Sequence, residues 1–418
     1  MYSACQFGML TLLVRYTAPV EVGRYALALA ICGPVFVFSN LKLRQVLATD
    51  AAEQFRFGHY LGQRIATSVV AAGAVTVGLF VADLDGRTLA TALAVTACKA
   101  LESIIDVLHG AMQRHEQMQL IARSQVWRGL GGLLVFGFLV IWTRRVEIAV
   151  LGLAVFTLPQ IATNLCRVKR IGVAVRPSFD RTGQGRLIRL AWPLGVSVAA
   201  GSLAVNVPLY VMQSMLGAAS VGIFAALAYF LVLSGTVVGA LAQAASPRLA
   251  DLYHAGQPVR FKRTLARLVG LGSTLGGVGI VGAVLLGAPV LRVVFDDEYA
   301  ARVDVLVVLM VGAAVQYSVA FLGTAVNALR KFAVQMPVSI GALAVVTVSS
   351  ILAVPAWGMM GGAFAVVAGQ VFTMLCYSGL LVKVILPALE DRGTASGAAA
   401  RHAAGPPGAS GPHRGRGA

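Results

Sequence analysis

TACKALESIIDVLHGAMQRHE, residues 96–116, joins two kinds of sequence that seldom share one segment. Residues 88–97, TLATALAVTA, are apolar enough to sit in lipid. Beyond them Lys99, Glu102, Asp106 and His109 follow at steps of three, four and three. Those steps keep all four on one stripe of a helix. A charge at the bilayer centre costs about 2.5–3.5 kcal/mol on insertion scales. The stripe must therefore face protein or a water-filled cavity, and its helix must belong to a bundle.

The composition extends this reading to the whole chain. Of 418 residues, 58% are hydrophobic and only 12% charged, against about 25% charged in a soluble domain. Apolar runs long enough to cross a bilayer recur almost throughout, and lipid admits them only as helices or a closed barrel. The period-2 alternation of barrel strands is absent. The expected fold is all-α: a polytopic membrane protein with about 12 transmembrane helices. Cys5, Cys32, Cys98, Cys166 and Cys376 form no CxxC pair or Cys/His cluster, so neither a disulfide framework nor a metal site is expected. No GxxxxGK[ST] loop occurs, which argues against direct drive by ATP, and no cofactor is expected. The first apolar run, Tyr2–Val14, leads through Arg15 into a second span and not into a cleavage site, so it is not a signal peptide. The net charge of +17 is that of a protein with basic loops against anionic lipid, not of a nucleic-acid binder.

Apolar spans lie near 2–14, 25–41, 61–82, 88–112, 126–142, 148–166, 187–215, 221–245, 268–291, 303–328, 333–353 and 359–382. The first is short: either Arg15 and Tyr16 extend it by snorkelling, or its helix begins before this sequence does. Connections after even-numbered spans, with the C-terminal tail, hold 26 of the 34 Lys and Arg; the odd-numbered ones hold seven. That asymmetry places both termini in the cytoplasm. The basic stretch 167–186, RVKRIGVAVRPSFDRTGQGR, divides the chain into an N-terminal lobe (1–166) and a C-terminal lobe (187–383) of six spans each. Residues 384–418 are Gly/Ala/Pro-rich without periodicity and read as a disordered cytoplasmic tail.

The two halves echo each other. VGRYA (22–26) opens span 2 and VGIFA (221–225) opens span 8; RFGHYL (56–61) and RFKRTL (260–265) enter spans 3 and 9; AMQR (111–114) and ALRK (328–331) leave spans 4 and 10. The offsets grow from 199 to 204 to 217, as drift in loop length would give. An even number of spans per half makes the lobes parallel, related by an axis along the membrane normal, with a central cavity between them.

Residues 2–50, YSACQFGMLTLLVRYTAPVEVGRYALALAICGPVFVFSNLKLRQVLATD, together with GAMQRHEQMQLIARSQVWRGL (110–130), SPRLADLYHAGQPVRFKRTL (246–265) and VFDDEYAARVDVL (294–306), carry a family resemblance. The chain resembles the bacterial polysaccharide and O-antigen flippases of the multidrug/oligosaccharidyl-lipid/polysaccharide exporter superfamily over residues 2–385. The resemblance implies two pseudo-symmetric six-helix lobes around a central cavity. It also implies transfer of an undecaprenyl-diphosphate-linked oligosaccharide to the outer leaflet of the cytoplasmic membrane by alternating access, for polysaccharide or lipopolysaccharide synthesis. Coupling to H⁺ or Na⁺ and contact with polysaccharide-assembly proteins belong to the same expectation. The competing functions are a cation-coupled multidrug antiporter of the same superfamily, which would favour an acidic pocket, and a polysaccharide polymerase or ligase. The short outer connections leave no room for the catalytic loop such an enzyme needs, so the chain reads as a carrier and not an enzyme.

Two readings of the charged stripe stay open. Lys99 and Glu102 are either a self-neutralising structural ladder or part of a cavity wall that meets the diphosphate, the sugars or an ion. With Lys99 taken by Glu102, Asp106 is left without a cation on its own stripe unless His109 is protonated. Arg44, Arg64, Arg189 and Arg248, at cytoplasmic edges of spans, are candidates for binding diphosphate or ordinary positive-inside residues. Asn206 and Gln316 are cavity candidates or helix-to-helix glue, as are Asn40 and Gln370. An offset of 217 pairs Gln316 with Lys99, so the lobes would present unlike groups, one charged and one neutral. Pro193 and Pro208 are expected to bend span 7.

Overall fold

A computed structural model describes residues 2–49, 55–82, 84–328 and 335–382. The tail expected at 384–418 and most of the ALRK segment lie outside the described residues. Thirteen helices, and no strand, are found among those described. They are α1 (Tyr2–Tyr16), α2 (Pro19–Ser39), α3 (Leu43–Thr49), α4 (Phe57–Val81), α5 (Gly86–Arg114), α6 (Met118–Thr143) and α7 (Val146–Arg170). After the linker come α8 (Arg181–His254), α9 (Pro258–Val294), α10 (Asp297–Ala300), α11 (Val303–Ala328), α12 (Gln335–Trp357) and α13 (Met359–Leu380).

Ten of these helices are long and apolar enough to cross a membrane. One of them, α8, runs for 74 residues and contains two of the expected spans. Gly217 divides it, with φ 79° and ψ 176°, a conformation that only glycine adopts without strain. With α8 counted as two spans and the 15-residue α1 as a short one, the helices are consistent with about twelve spans. Helical dihedrals run through Pro193 and Pro208, and Gly217, just past the seventh span, is where the chain leaves them. The linker is also shorter than its basic composition suggests: α7 continues to Arg170 and α8 starts at Arg181. Asp180 caps α8, accepting from the N–H of Gly183 (2.8 Å) and of Thr182 (3.3 Å). The Gly183 N–H, chiefly, holds the Asp180 carboxyl below the usual carboxylate range.

Both faces of most helices are apolar, and only one face is buried. Val69, Phe80, Leu134, Trp142, Leu285 and Leu352 are all more than 60% exposed. A belt of this kind is untenable in water and ordinary against lipid. The protein is a multi-pass membrane protein. Inside, one apolar core runs through both lobes, from Leu13 and Phe36 to Phe224, Phe295 and Phe321.

The bundle has two ends. At the linker end, α4 lies against the connecting segment: the Ser178 N–H donates to the Gly58 carbonyl (2.8 Å), and a Cβ on Gly62 would collide with the Ser178 carbonyl. At the far end, α2, α5 and α7 are tied by ion pairs. Arg24 meets Glu21 (2.5 Å) and Asp85 (3.1 Å), while Arg87 meets Glu21 (3.0 Å) and Glu147 (3.5 Å). Burial of Asp85 opposes its ionisation, but its bonds to Thr88 and the charge of Arg24 outweigh that and keep its carboxyl low. The far-end connections are short; the longest, between α9 and α11, carries only the one-turn α10.

Candidate functional site

α5 is started by Asp85, whose carboxylate accepts from the Thr88 N–H at 3.3 Å, and it crosses the bundle to Arg114. The four ionisable residues share a stripe by spacing, but tertiary packing divides them among three settings. The first is a cavity. Lys99 Nζ lies 2.9 Å from Glu102 Oε2, and the other carboxylate oxygen of Glu102 pairs with Arg128 of α6. The guanidinium of Arg128 in turn lies over the Tyr2 ring, 4.9 Å from its centroid, a cation–π contact. Lys99, Glu102, Arg128 and Tyr2 all line a cavity of about 220 Å³, with Gln6, Gln160 and Tyr229 on its walls.

The second setting is nearer the linker end. Asp106 does have cations, from other helices. Arg64 of α4 lies 2.9 Å away and Arg44 of α3 3.6 Å. Arg64 is wholly buried and also donates to the Asn40 side chain. Arg44 also donates to Gln113 at 3.2 Å. On its own stripe Asp106 has no such partner, and spacing along one helix does not report a pairing made with two others. The third setting is neutral. His109 is buried, 3.0 Å from the Ser124 hydroxyl, which accepts from Asn164 at 3.0 Å.

Arg189 and Arg248, both on α8, are exposed and line neither this cavity nor the one beside it. Asn206 and Gln316 line that second cavity, of about 500 Å³, between α8, α11, α12 and α13. Ala26, Leu29, Ala225, Tyr229 and Val232 wall both cavities, so the two adjoin. Lys99 thus faces a charged chamber, and Gln316 a neutral one beside it.

Arg128 escapes the sequence reading. It counts there as a basic residue of the connection after span 4, yet it stands ten residues inside α6. At 1.5 Å per residue that is about 15 Å along the axis. Glu102 lies twelve residues from the end of the antiparallel α5, about 18 Å, so the two meet at one depth. A usable signal was present: the helix needed to fill a span from Met118 to Thr143 already contains Arg128. Arg64, seven residues from the start of α4, is likewise wholly buried.

Residues 2–253, more than half of the chain and ending within α8, match the family model described as polysaccharide biosynthesis protein. The chain belongs to that family. The capsular polysaccharide biosynthesis protein CapF of Staphylococcus aureus is 27% identical over 375 residues, covering 89% of this chain and 94% of CapF. Among solved structures, an inward-facing multidrug resistance MATE family transporter of the MOP superfamily superposes with a TM-score of 0.74 at 12% identity, covering 94% of this chain and 96% of that one. The lipid II flippase MurJ in an inward closed conformation superposes with a TM-score of 0.72 at 12% identity, covering 97% and 92%. This member of the polysaccharide biosynthesis family therefore has the fold of those two proteins, and the likeness extends over the helices beyond residue 253 as well.

Proposed function

We propose that the protein is a flippase that moves an undecaprenyl-diphosphate-linked oligosaccharide from the inner to the outer leaflet of the bacterial cytoplasmic membrane. The linker end and both termini then lie in the cytoplasm, as the basic asymmetry supports. The observation that carries the reading is the pairing of one carboxylate, Glu102, with two cations, Lys99 and Arg128, on a cavity wall inside the bundle. A diphosphate cannot enter a low-dielectric space without cations to receive it. Two cations facing an empty cavity would themselves be costly without a counter-ion. Glu102 resolves both demands. It holds Lys99 and Arg128 while the site is empty, and a diphosphate can take over their N–H donors when substrate arrives, Arg128 offering a two-pronged fork. The prenyl chain stays in lipid. Family membership and the fold shared with a lipid II flippase support the same reading.

The drug-antiporter alternative would be expected to place net negative charge on this wall, whereas the three ionised groups sum to +1. The work of transport would come from an ion gradient or the membrane potential, at about 2.3 kcal/mol per charge per 100 mV.

The test uses purified full-length protein in proteoliposomes with a fluorescent polyprenyl-diphosphate-linked oligosaccharide. Wild-type protein should carry the probe between leaflets, and Lys99→Ala, inserted to the same level, should slow it at least tenfold. Lys99→Arg should keep part of the rate, because the charge survives while donor geometry changes. A normally inserted Lys99→Ala that transports at the wild-type rate would refute the assignment.

A further inference from the structure

The larger cavity is not explained by diphosphate binding. Among the described residues no charged side chain lines it, so an anion entering it would lose its water without gaining a counter-ion from them. Its wall is mostly apolar, but it is interrupted by polar groups that a prenyl chain would not answer. Asn206 of α8, Gln316 of α11, Ser339 of α12 and Gln370 and Thr373 of α13 converge on it from four helices. An alkyl chain filling the space would leave those groups desolvated and unpaired. The Asn206 amide donates to the Ser202 carbonyl (2.7 Å) and Thr373 to the Gly369 carbonyl (2.8 Å). Each retains free bonding capacity, a second N–H and the side-chain oxygen on Asn206 and the hydroxyl oxygen on Thr373. Gln316, Ser339 and Gln370 bond to no described side chain or backbone group.

The ligand chemistry that fits is neutral and rich in groups that both donate and accept. Amides and hydroxyls answer sugar hydroxyls in both roles. The volume falls within the range of small-molecule sites, about 300–1,000 Å³. The position fits as well: the chamber shares Tyr229 with the cavity whose wall holds Lys99 and Arg128. We propose that the cavity between α8, α11, α12 and α13 is a saccharide subsite for uncharged sugars of the substrate whose diphosphate rests at Lys99 and Arg128 in the other lobe. The proposal rests on the lipid-linked-saccharide reading. It adds that recognition is divided, with charge read by one lobe and hydroxyls by the other.

The test measures binding of two probes to the purified full-length protein: polyprenyl diphosphate, and the same lipid bearing a neutral tetrasaccharide. Wild-type protein should prefer the tetrasaccharide lipid at least tenfold. In Gln316→Leu/Gln370→Leu, which replaces amides by apolar groups of similar size, that preference should fall at least tenfold; Gln316→Asn should retain part of it. An unchanged preference in the double variant overturns the subsite. Equal weakening of both probes overturns it too, because it would mean that the cavity serves the prenyl chain or that the lobe is misfolded. A wild-type protein that binds both probes equally, with Lys99→Ala weakening both, overturns the subsite but keeps the diphosphate site. A wild-type protein that binds neither probe overturns the flippase reading and the subsite together.

Discussion

Gly23 and Gly222 pack against each other's helices in a reciprocal contact. A Cβ on Gly23 would land on the carbonyl of Ala218, and a Cβ on Gly222 on the carbonyl of Pro19. An offset of 199 carries Pro19 onto Ala218 and Gly23 onto Gly222. The two lobes thus meet at the far end through equivalent residues, as a two-fold relation requires. Glycine is needed on both sides because the backbones approach too closely for any side chain.

This contact closes the end of the bundle that the proposed orientation places outside. Gly23→Ala should force the lobes apart there, at an overpacking cost of about 1–3 kcal/mol. A shift of about 1.4 kcal/mol changes the ratio of closed to open forms tenfold. In a background without native cysteines, Ala225→Cys on the cavity wall should then react faster with an impermeant thiol reagent from outside. Unchanged labelling would show that the glycine contact is not the seal.

The charged chamber makes a prediction that depends on Arg128. Lys99→Ala lowers the wall from +1 to zero, and Lys99→Ala/Glu102→Ala returns it to +1 through Arg128 alone. Transport should fall about tenfold in the first, or about 1.4 kcal/mol in activation free energy, and recover substantially in the second. Lys99→Ala/Arg128→Ala should be inactive. Complementation of a flippase-deficient strain, normalised to membrane abundance, gives the comparison. If the double variant with Glu102→Ala does no better than Lys99→Ala, net charge is not what the wall supplies.

Arg64 and Asp106 form a structural pair, and their substitution should be felt in stability. Asp106→Asn removes the charge facing a wholly buried guanidinium while keeping an acceptor. Because the Asp106 side chain is 35% exposed, the expected loss is about 1–3 kcal/mol. Thermal unfolding of the detergent-purified protein should show a lower midpoint, and Arg64→Met/Asp106→Leu should recover much of it. A midpoint equal to that of wild type in Asp106→Asn would mean that Arg64 is held by Asn40 alone.

Orientation is tested at the linker. Arg176 is exposed, so Arg176→Cys in a cysteine-free background should resist impermeant reagent in intact cells and react once the membrane is permeabilised. Labelling in intact cells would invert the proposed topology and, with it, the side on which the Gly23 contact closes.

The sequence by itself determined which segments are helices in lipid, that there are about twelve spans, and that the two halves echo each other. Each of these is a local sum or a comparison along the chain: hydropathy over a span, charge over a loop, spacing over a few turns. It also marked Lys99 and Glu102 as a pair, because residues three apart on a helix are neighbours. Only the tertiary structure decided that Glu102 has a second cation in Arg128, that Asp106 is met by Arg64 and Arg44, and that Gly217 divides α8. Ion pairing depends on the depth and direction at which side chains of different helices meet, and no sum along one helix contains that information. The same holds for Gly23. In sequence it is one of 46 glycines, and its requirement for glycine comes entirely from the backbone of the other lobe.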